Sequence, residues 1–179
     1  MTKTTRDLEL GETLITQEQI EKRAVEIGQN ITADYKGEEV YVIGILKGAV
    51  MWMSDVLKHI DLPTRIDFMA VSSYGASTKS SGVVKINKDL DDSVEGRNVI
   101  IMEDIVDSGI TLNYLKEYLM GMSPKSLKIC TLLDKPKGRK KEIDVDYIGF
   151  EVDDVFIVGF GLDFDQRYRN LPYITSVNE

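Results

Sequence analysis

Apolar positions along the chain follow two periodicities, and the switches between them mark its elements. Across residues 16–35, Ile20, Ala24, Ile27 and Ile31 recur every three or four places, which predicts a helix with one buried face. Thr16 stands where its hydroxyl would cap the first turn. Residues 39–46, EVYVIGIL, form a nearly continuous apolar run of strand length, as a strand covered on both faces requires. The same reading predicts helices over 49–60 and 110–122. It predicts strands over 65–72, 83–88, 97–102, 126–133, 147–152 and 155–160. Alternating strand, helix and strand through the middle predict an α/β fold with a mostly parallel central sheet flanked by helices. The terminal segments do not fit that alternation. They are expected to build a small lobe on a core of about residues 36–150, with the whole chain, 1–179, forming one domain.

Two stretches have little to bury. Residues 73–82, SYGASTKSSG, are expected to form a mobile loop, and residues 134–142 are a linker rich in Lys, Arg, Pro and Gly. With 179 residues, 42% hydrophobic and 29% charged, the chain is long enough for one full core and short for two. A single cysteine, Cys130, excludes an intrachain disulfide. One cysteine with one histidine, His59, argues against a His/Cys zinc site. The net charge of −8 argues against a nucleic-acid surface, and no apolar run reaches the roughly 18–20 residues of a membrane span. Residues 1–10 carry no apolar signal core, so a cytoplasmic protein is expected. The acidic balance also means that any anionic substrate must be held by local donors and a cation.

The informative segment is residues 99–112, VIIMEDIVDSGITL. An apolar strand runs into two adjacent acids, two apolar residues and then Asp-Ser-Gly-x-Thr before a helix. Ligands of open α/β sheets bind where strand C-termini meet helix N-termini, and free amides there suit a phosphate. Gly109 permits a tight loop, and Ser108 and Thr111 add hydroxyls. Glu103 and Asp104 at a strand end cost desolvation unless ribose hydroxyls or a hydrated Mg²⁺ partner them. The plainer alternative is that Asp107 or Ser108 caps the following helix and the acids are solvated.

This segment resembles the phosphoribosyl-diphosphate signature of the type I phosphoribosyltransferases. Leu46-Lys47-Gly48, Ser72-Ser73-Tyr74-Gly75, Leu132-Leu133-Asp134-Lys135-Pro136, residues 158–163 (VGFGLD) and residues 166–174 (QRYRNLPYI) resemble the hypoxanthine–guanine branch, bacterial type, in that family's order. The resemblance implies a purine salvage transferase that moves 5-phosphoribosyl from its diphosphate to hypoxanthine or guanine. It implies Asp107 as general base. Glu103 and Asp104 would hold the ribose hydroxyls, and Ser108, Gly109, Ile110 and Thr111 the 5′-phosphate. Lys47, Gly48 and Arg169 would hold the diphosphate, with a non-proline cis peptide before Lys47. Lys135, Phe156, Ile157 and Asp163 would hold the purine, while Ser73 and Tyr74 begin a flap that excludes water. Mg²⁺ is implied as cofactor, on Glu103, Asp104 and Asp163, and a homodimer or homotetramer as the assembly. The same subsites imply that guanosine nucleotides phosphorylated at both 5′ and 3′ ends compete with the sugar diphosphate.

Taken without the resemblance, Lys135 is as well a turn lysine, Phe156 a core side chain, Asp163 a turn aspartate and Arg169 a surface arginine. A xanthine- or adenine-preferring transferase shares the sugar site. An RNA-binding regulator would need a basic patch, and a generic nucleotide-binding module would not need sugar, diphosphate and base motifs together.

Overall fold

The computed structural model describes residues 9–73 and 84–178. Thr16 caps α1 (Gln17–Asp34) reciprocally: its Oγ1 accepts from the Gln19 amide at 3.3 Å, and Gln19 Oε1 accepts from the Thr16 amide at 2.8 Å. The remaining helices are α2 (Val50–Leu57) and α3 (Ile110–Met120), each shorter than its apolar pattern predicts. The strands are β1 (Glu9–Ile15), β2 (Val40–Leu46), β3 (Thr64–Ser73), β4 (Val84–Lys88), β5 (Asn98–Val106), β6 (Ser126–Asp134), β7 (Tyr147–Glu151), β8 (Ile157–Val158) and β9 (Ile174–Asn178).

Six strands form the central sheet in the order β4-β3-β2-β5-β6-β7. Every neighbouring pair is parallel except β3 with β4 at the edge. From β2 the chain crosses through α2 to β3 on one side, and from β5 it crosses through α3 to β6 on the other. The winding therefore reverses between β2 and β5. The C-terminal ends of those two strands diverge there and leave a crevice between their loops.

Strand alternation divides the apolar side chains between two cores. Ile100 and Met102 join Trp52, Ile27 and Ile31 under α1 and α2, while Val99 and Ile101 join Leu115 and Leu119 under α3. Each fully buried side chain of this size contributes about 1.5–3 kcal/mol. A second sheet, β1-β9-β8, is built from the terminal segments. Its Ile15, Ile157 and Ile174 belong to the α1/α2 core, so the lobe and the main sheet share apolar contacts.

Apolar run length misleads at two places. Residues 155–160 read as one strand, yet β8 is only Ile157–Val158, because the chain turns back as Gly159 bridges Leu162 and Phe160 takes a φ of 46°. Conversely, β5 continues four residues past Met102, since β6 offers it a parallel partner as far as the Val106–Asp134 register. The expected mobile loop, including Tyr74, lies beyond Ser73 outside the described residues.

The base of the β3–β4 hairpin is pinned by Asp67, which is 5% exposed. Its carboxylate accepts from Tyr41 Oη (2.9 Å), the amides of Asp91 (2.7 Å) and Phe68 (2.6 Å), and Lys88 Nζ (3.2 Å). Burial opposes the charged form, but these donors outweigh it and hold Asp67 down at about 2. A depressed carboxyl stabilises the fold above its unfolded value near 3.9, and that contribution is lost as pH falls through about 2. Asp67→Asn is therefore expected to cost about 2–3 kcal/mol in urea unfolding at neutral pH. The difference should close as pH falls from about 4 to 2.

Candidate active site

The extended β5 carries the acid pair inside the strand rather than beyond it. Glu103 is in register with Thr131, and both acids line one cleft at the strand end. Glu103 Oε2 is buried and has no hydrogen-bond partner. Burial, and then the charge of Asp104, push Glu103 well above the usual carboxylate range. Burial raises Asp104 to about 6, although the Ile105 amide at 2.8 Å and the charge of Arg169 both favour its ionised form.

Asp104 lies against the loop after β2. A Cβ on Gly48 would sit 1.5 Å from Asp104 Oδ2, so only glycine leaves room for the Asp104 carboxylate against this loop. The Leu46–Lys47 peptide is cis, as the family resemblance implies. Lys47 Nζ donates to Gln166 Oε1 at 3.0 Å. Arg169 comes from the same C-terminal segment. It donates through Nη1 to the Gly161 carbonyl at 2.6 Å and pairs through Nη2 with Asp163 at 2.7 Å.

After β5 the chain makes the candidate phosphate loop. Gly109 has a φ of 76°, and a Cβ there would meet the Lys141 carbonyl at 2.4 Å, so this position too requires glycine. The N-cap of α3 is Gly109 itself, with no side-chain cap. That removes helix capping as the explanation of Asp107 and Ser108; the Ser108 Oγ only approaches the Ile110 amide at 3.5 Å.

A cleft of about 330 Å³ joins these loops, lined by Lys47, Gly48, Glu103, Asp104, Asp107, Ser108, Gly109, Thr111, Asp163 and Arg169 among others. Ile110 is not part of that lining. An adjoining pocket of about 270 Å³ is lined by Lys135, Phe156, Ile157 and Leu162. Asp104, Ile105, Asp107 and Asp163 line both spaces and form their common wall. Phe156 is 50% exposed, which excludes a core role, and it meets Phe164 edge-on at 5.9 Å. Lys135 is instead buried, its Nζ donating to the Val155 carbonyl at 2.6 Å. Ser73 ends β3, and Tyr74 lies outside the described residues. Cys130 is fully buried, which pushes its thiol up to about 12 and makes it inert.

Two residues near the site escape a reading of the sequence. Gln166 sits where Lys47 and Arg169 converge, donating to neither and accepting from both. Arg139, within a basic linker that reads as solvated, is folded inward onto Asp134 and the Asp107 loop. Among the described residues no group of three or more His, Cys, Asp or Glu could hold a metal ion unaided.

A glycine-bent loop at the switch point, beside half-buried acids and a pocket with an exposed phenylalanine, defines the class: an α/β protein with its ligand cleft at the carboxyl ends of parallel strands. Residues 12–165 match the family described as the phosphoribosyl transferase domain. The chain is 55% identical over 166 residues to the hypoxanthine-guanine phosphoribosyltransferase of Bacillus subtilis (strain 168), covering 93% of this chain and 92% of that protein. It is 51% identical to the bifunctional protein TilS/HprT of Listeria monocytogenes serotype 4b (strain F2365), over 93% of this chain but 26% of that longer protein. A solved hypoxanthine-guanine phosphoribosyltransferase structure from Bacillus anthracis superposes with a TM-score of 0.90 at 44% identity, covering 96% of this chain and all of that one. The chain belongs to the phosphoribosyl transferase family, with the type I fold.

The raised Asp104 carboxyl has a measurable consequence in the metal-free, unliganded protein. The native state holds that proton more tightly than the unfolded chain does. This contribution is complete below about pH 4 and is lost as pH rises through about 6. Asp104→Asn mimics the protonated form. It is expected to unfold later in urea than the unaltered protein at about pH 8, by roughly 1–3 kcal/mol, with the gain vanishing below about pH 4. Equal stability across that range would contradict the burial argument.

Proposed function

We propose that this chain transfers the 5-phosphoribosyl group from phosphoribosyl diphosphate to N9 of hypoxanthine or guanine, giving IMP or GMP and diphosphate. The observation that carries this reading is the common wall. A cleft lined by Ser108, Gly109 and Thr111 and an adjoining pocket with an exposed phenylalanine share Asp104, Ile105, Asp107 and Asp163, so a sugar in one would present its C1′ to a ring in the other. The names of the relatives supply the purine specificity.

In this reading the Ser108, Gly109 and Thr111 loop, with the Ile110 amide at the start of α3, receives the 5′-phosphate. Glu103 and Asp104 hold the ribose hydroxyls, which would give the orphaned Glu103 oxygen a partner. Lys47, Gly48 and Arg169 take the diphosphate, and Arg169 suits it because its planar fork binds phosphate oxygens in pairs. Phe156 stacks on the base, an interaction worth about 1–3 kcal/mol in nucleic-acid complexes. Lys135 donates to the purine O6, and the Ile157 backbone and Asp163 read the opposite edge. As N9 bonds to C1′ and the C1′–O bond to diphosphate breaks, the purine loses a ring proton. Asp107, at the wall between the spaces, accepts it.

Mg²⁺ fits this donor set. It takes one or two carboxylates and completes its shell with substrate oxygens, which suits Glu103, Asp104 and Asp163 in a cleft where no three acids suffice alone. When bound, it neutralises diphosphate charge. The enzyme works as one domain, since the terminal sheet and the main sheet share a core. Exposed Val50, Met51 and Ile66 supply apolar surface for a homodimer or homotetramer contact. No described helix is long and apolar enough to cross a membrane, and the unpaired Cys130 suits the reducing cytoplasm.

Purified protein offered each purine separately with phosphoribosyl diphosphate and Mg²⁺ tests the assignment, by release of diphosphate and appearance of the nucleotide. Asp107→Asn keeps the size of the side chain and removes its basicity. It is expected to lower kcat by about 10²–10⁴-fold while sugar-diphosphate binding is largely kept; turnover near that of the unaltered enzyme would remove Asp107 from the role. Exhaustive chelation is expected to abolish turnover and Mg²⁺ to restore it, whereas full activity in chelator would rule out the metal requirement.

A further inference from the structure

Arg139 performs a task that none of the roles above includes. Its guanidinium is almost wholly buried, with its side chain 10% exposed, and it is used on both arms. Nη1 donates to two successive carbonyls, Val106 and Asp107, at 2.6 Å each. Nη2 pairs with the carboxylate of Asp134, itself 10% exposed, at the end of β6. These carbonyls are the last residue of β5 and the first of the phosphate loop.

The rest of the contact is backbone. The amides of Lys140 and Lys141 donate to the Ser108 carbonyl at 3.0 and 3.1 Å, and the Lys135 amide donates to the Val106 carbonyl at 2.9 Å. A Cβ on Gly138 would lie 2.2 Å from Asp107 Oδ1, so the carboxylate rests against bare backbone of the same segment. Residues 135–141 thus form a brace along the outer side of the Asp107 loop, and Arg139 is its one charged fastening to Asp107.

We propose that Arg139 is a positioning residue for the transferase reaction: it fixes the Asp107 peptide, and through it the direction of the Asp107 carboxylate toward the shared wall. The inference rests on the proposed role of Asp107. The chemistry of the fork explains why arginine stands here. Two carbonyls and one carboxylate must be reached at once from a single buried group, and a lysine ammonium, with one nitrogen, cannot span both sides of that gap. A misplaced base loses rate without losing substrate. A shift of about 1 Å in a reacting group costs up to about 10²-fold.

The test is a double-mutant cycle on kcat with Arg139→Lys and Asp107→Asn, together with thermal unfolding of each variant. Arg139→Lys is expected to lower kcat about 10–100-fold with KM for phosphoribosyl diphosphate changed less than about threefold. In the Asp107→Asn background the same substitution should cost less than about threefold, because the base it positions is gone. Additive losses in the cycle, or an unchanged kcat in Arg139→Lys, would overturn the proposal. A rise in KM for the sugar diphosphate with kcat kept would overturn it too, since that marks a brace for the phosphate loop alone. If Arg139→Lys does not fold, the neutral pair Asp134→Asn with Arg139→Gln removes fork and buried charge together and enters the same cycle. A normal rate in Asp107→Asn alone would instead refute the general-base reading, so the two failures are distinguishable.

Discussion

Two half-buried carboxylates on the wall of the crevice at the end of β5, one of them with a buried oxygen that no described residue satisfies, are the constraint around which this site is organised. An ionised acid in such a place costs free energy unless a donor or cation arrives. The strand fixes the acids' backbone in place, because β6 pairs with β5 past both of them to the Val106–Asp134 register. Both acids line the same cleft, and each raises the cost of ionising the other. The sheet therefore maintains a demand for polar ligand groups at one point of the crevice, and the surrounding loops determine which groups can meet it.

Those loops approach each other at separations that side chains would forbid. Gly48 leaves room for the Asp104 side chain, and a Cβ on Gly161 would fall 2.1 Å from the Gly48 carbonyl, so the loop after β2 and the C-terminal segment meet as nearly bare backbone beside the end of β5. This crowding brings Arg169 and Asp163, more than fifty residues beyond β5, into the same cleft as Lys47. It also gives the terminal sheet a part in the chemistry. Val177 donates its amide to the Phe156 carbonyl at 3.1 Å, and Ile157 pairs with Ser176, so β9 holds the residues that line the base pocket.

The contrast between what the sequence reveals and what it conceals follows from the range of the interactions. The α1 cap, the apolar strands and the α/β alternation are visible because they are local: Thr16 and Gln19 are three residues apart, and β2 is buried along nearly its whole length. The phosphate loop is visible because Gly109 and its neighbouring hydroxyls must stand consecutively. Strand ends are less legible, since a partner strand decides them: β5 gains four residues from β6, and β8 shrinks where Gly159 turns back on Leu162. Arg139 and Gln166 are not legible at all. A basic residue in a linker and a glutamine in a polar tail have the composition of solvated chain, and only the folding of residues 135–141 onto the Asp107 loop and of the tail onto Lys47 gives them partners.

The cations of the site have one further property that bears on how a protein of net charge −8 can receive an anionic substrate. Each is already committed in the free protein: Lys47 to the amide oxygen of Gln166, Arg169 to the Gly161 carbonyl and Asp163, and Lys135 to the Val155 carbonyl. A ligand therefore exchanges partners instead of entering an open field of charge. For Lys47 the partner given up is a neutral amide oxygen, and a hydrogen bond from a cation to a charged phosphate oxygen is the stronger of the two. For Arg169 one arm faces a carboxylate, so the exchange there gains less, and the arm on the Gly161 carbonyl is the more readily surrendered. Pre-committed donors also keep these long side chains near their working positions before substrate arrives, which lowers the conformational entropy lost on binding. Selectivity for a highly charged diphosphate over weaker anions then follows from the exchange itself, because only a ligand that outbids the internal acceptors can hold the cleft.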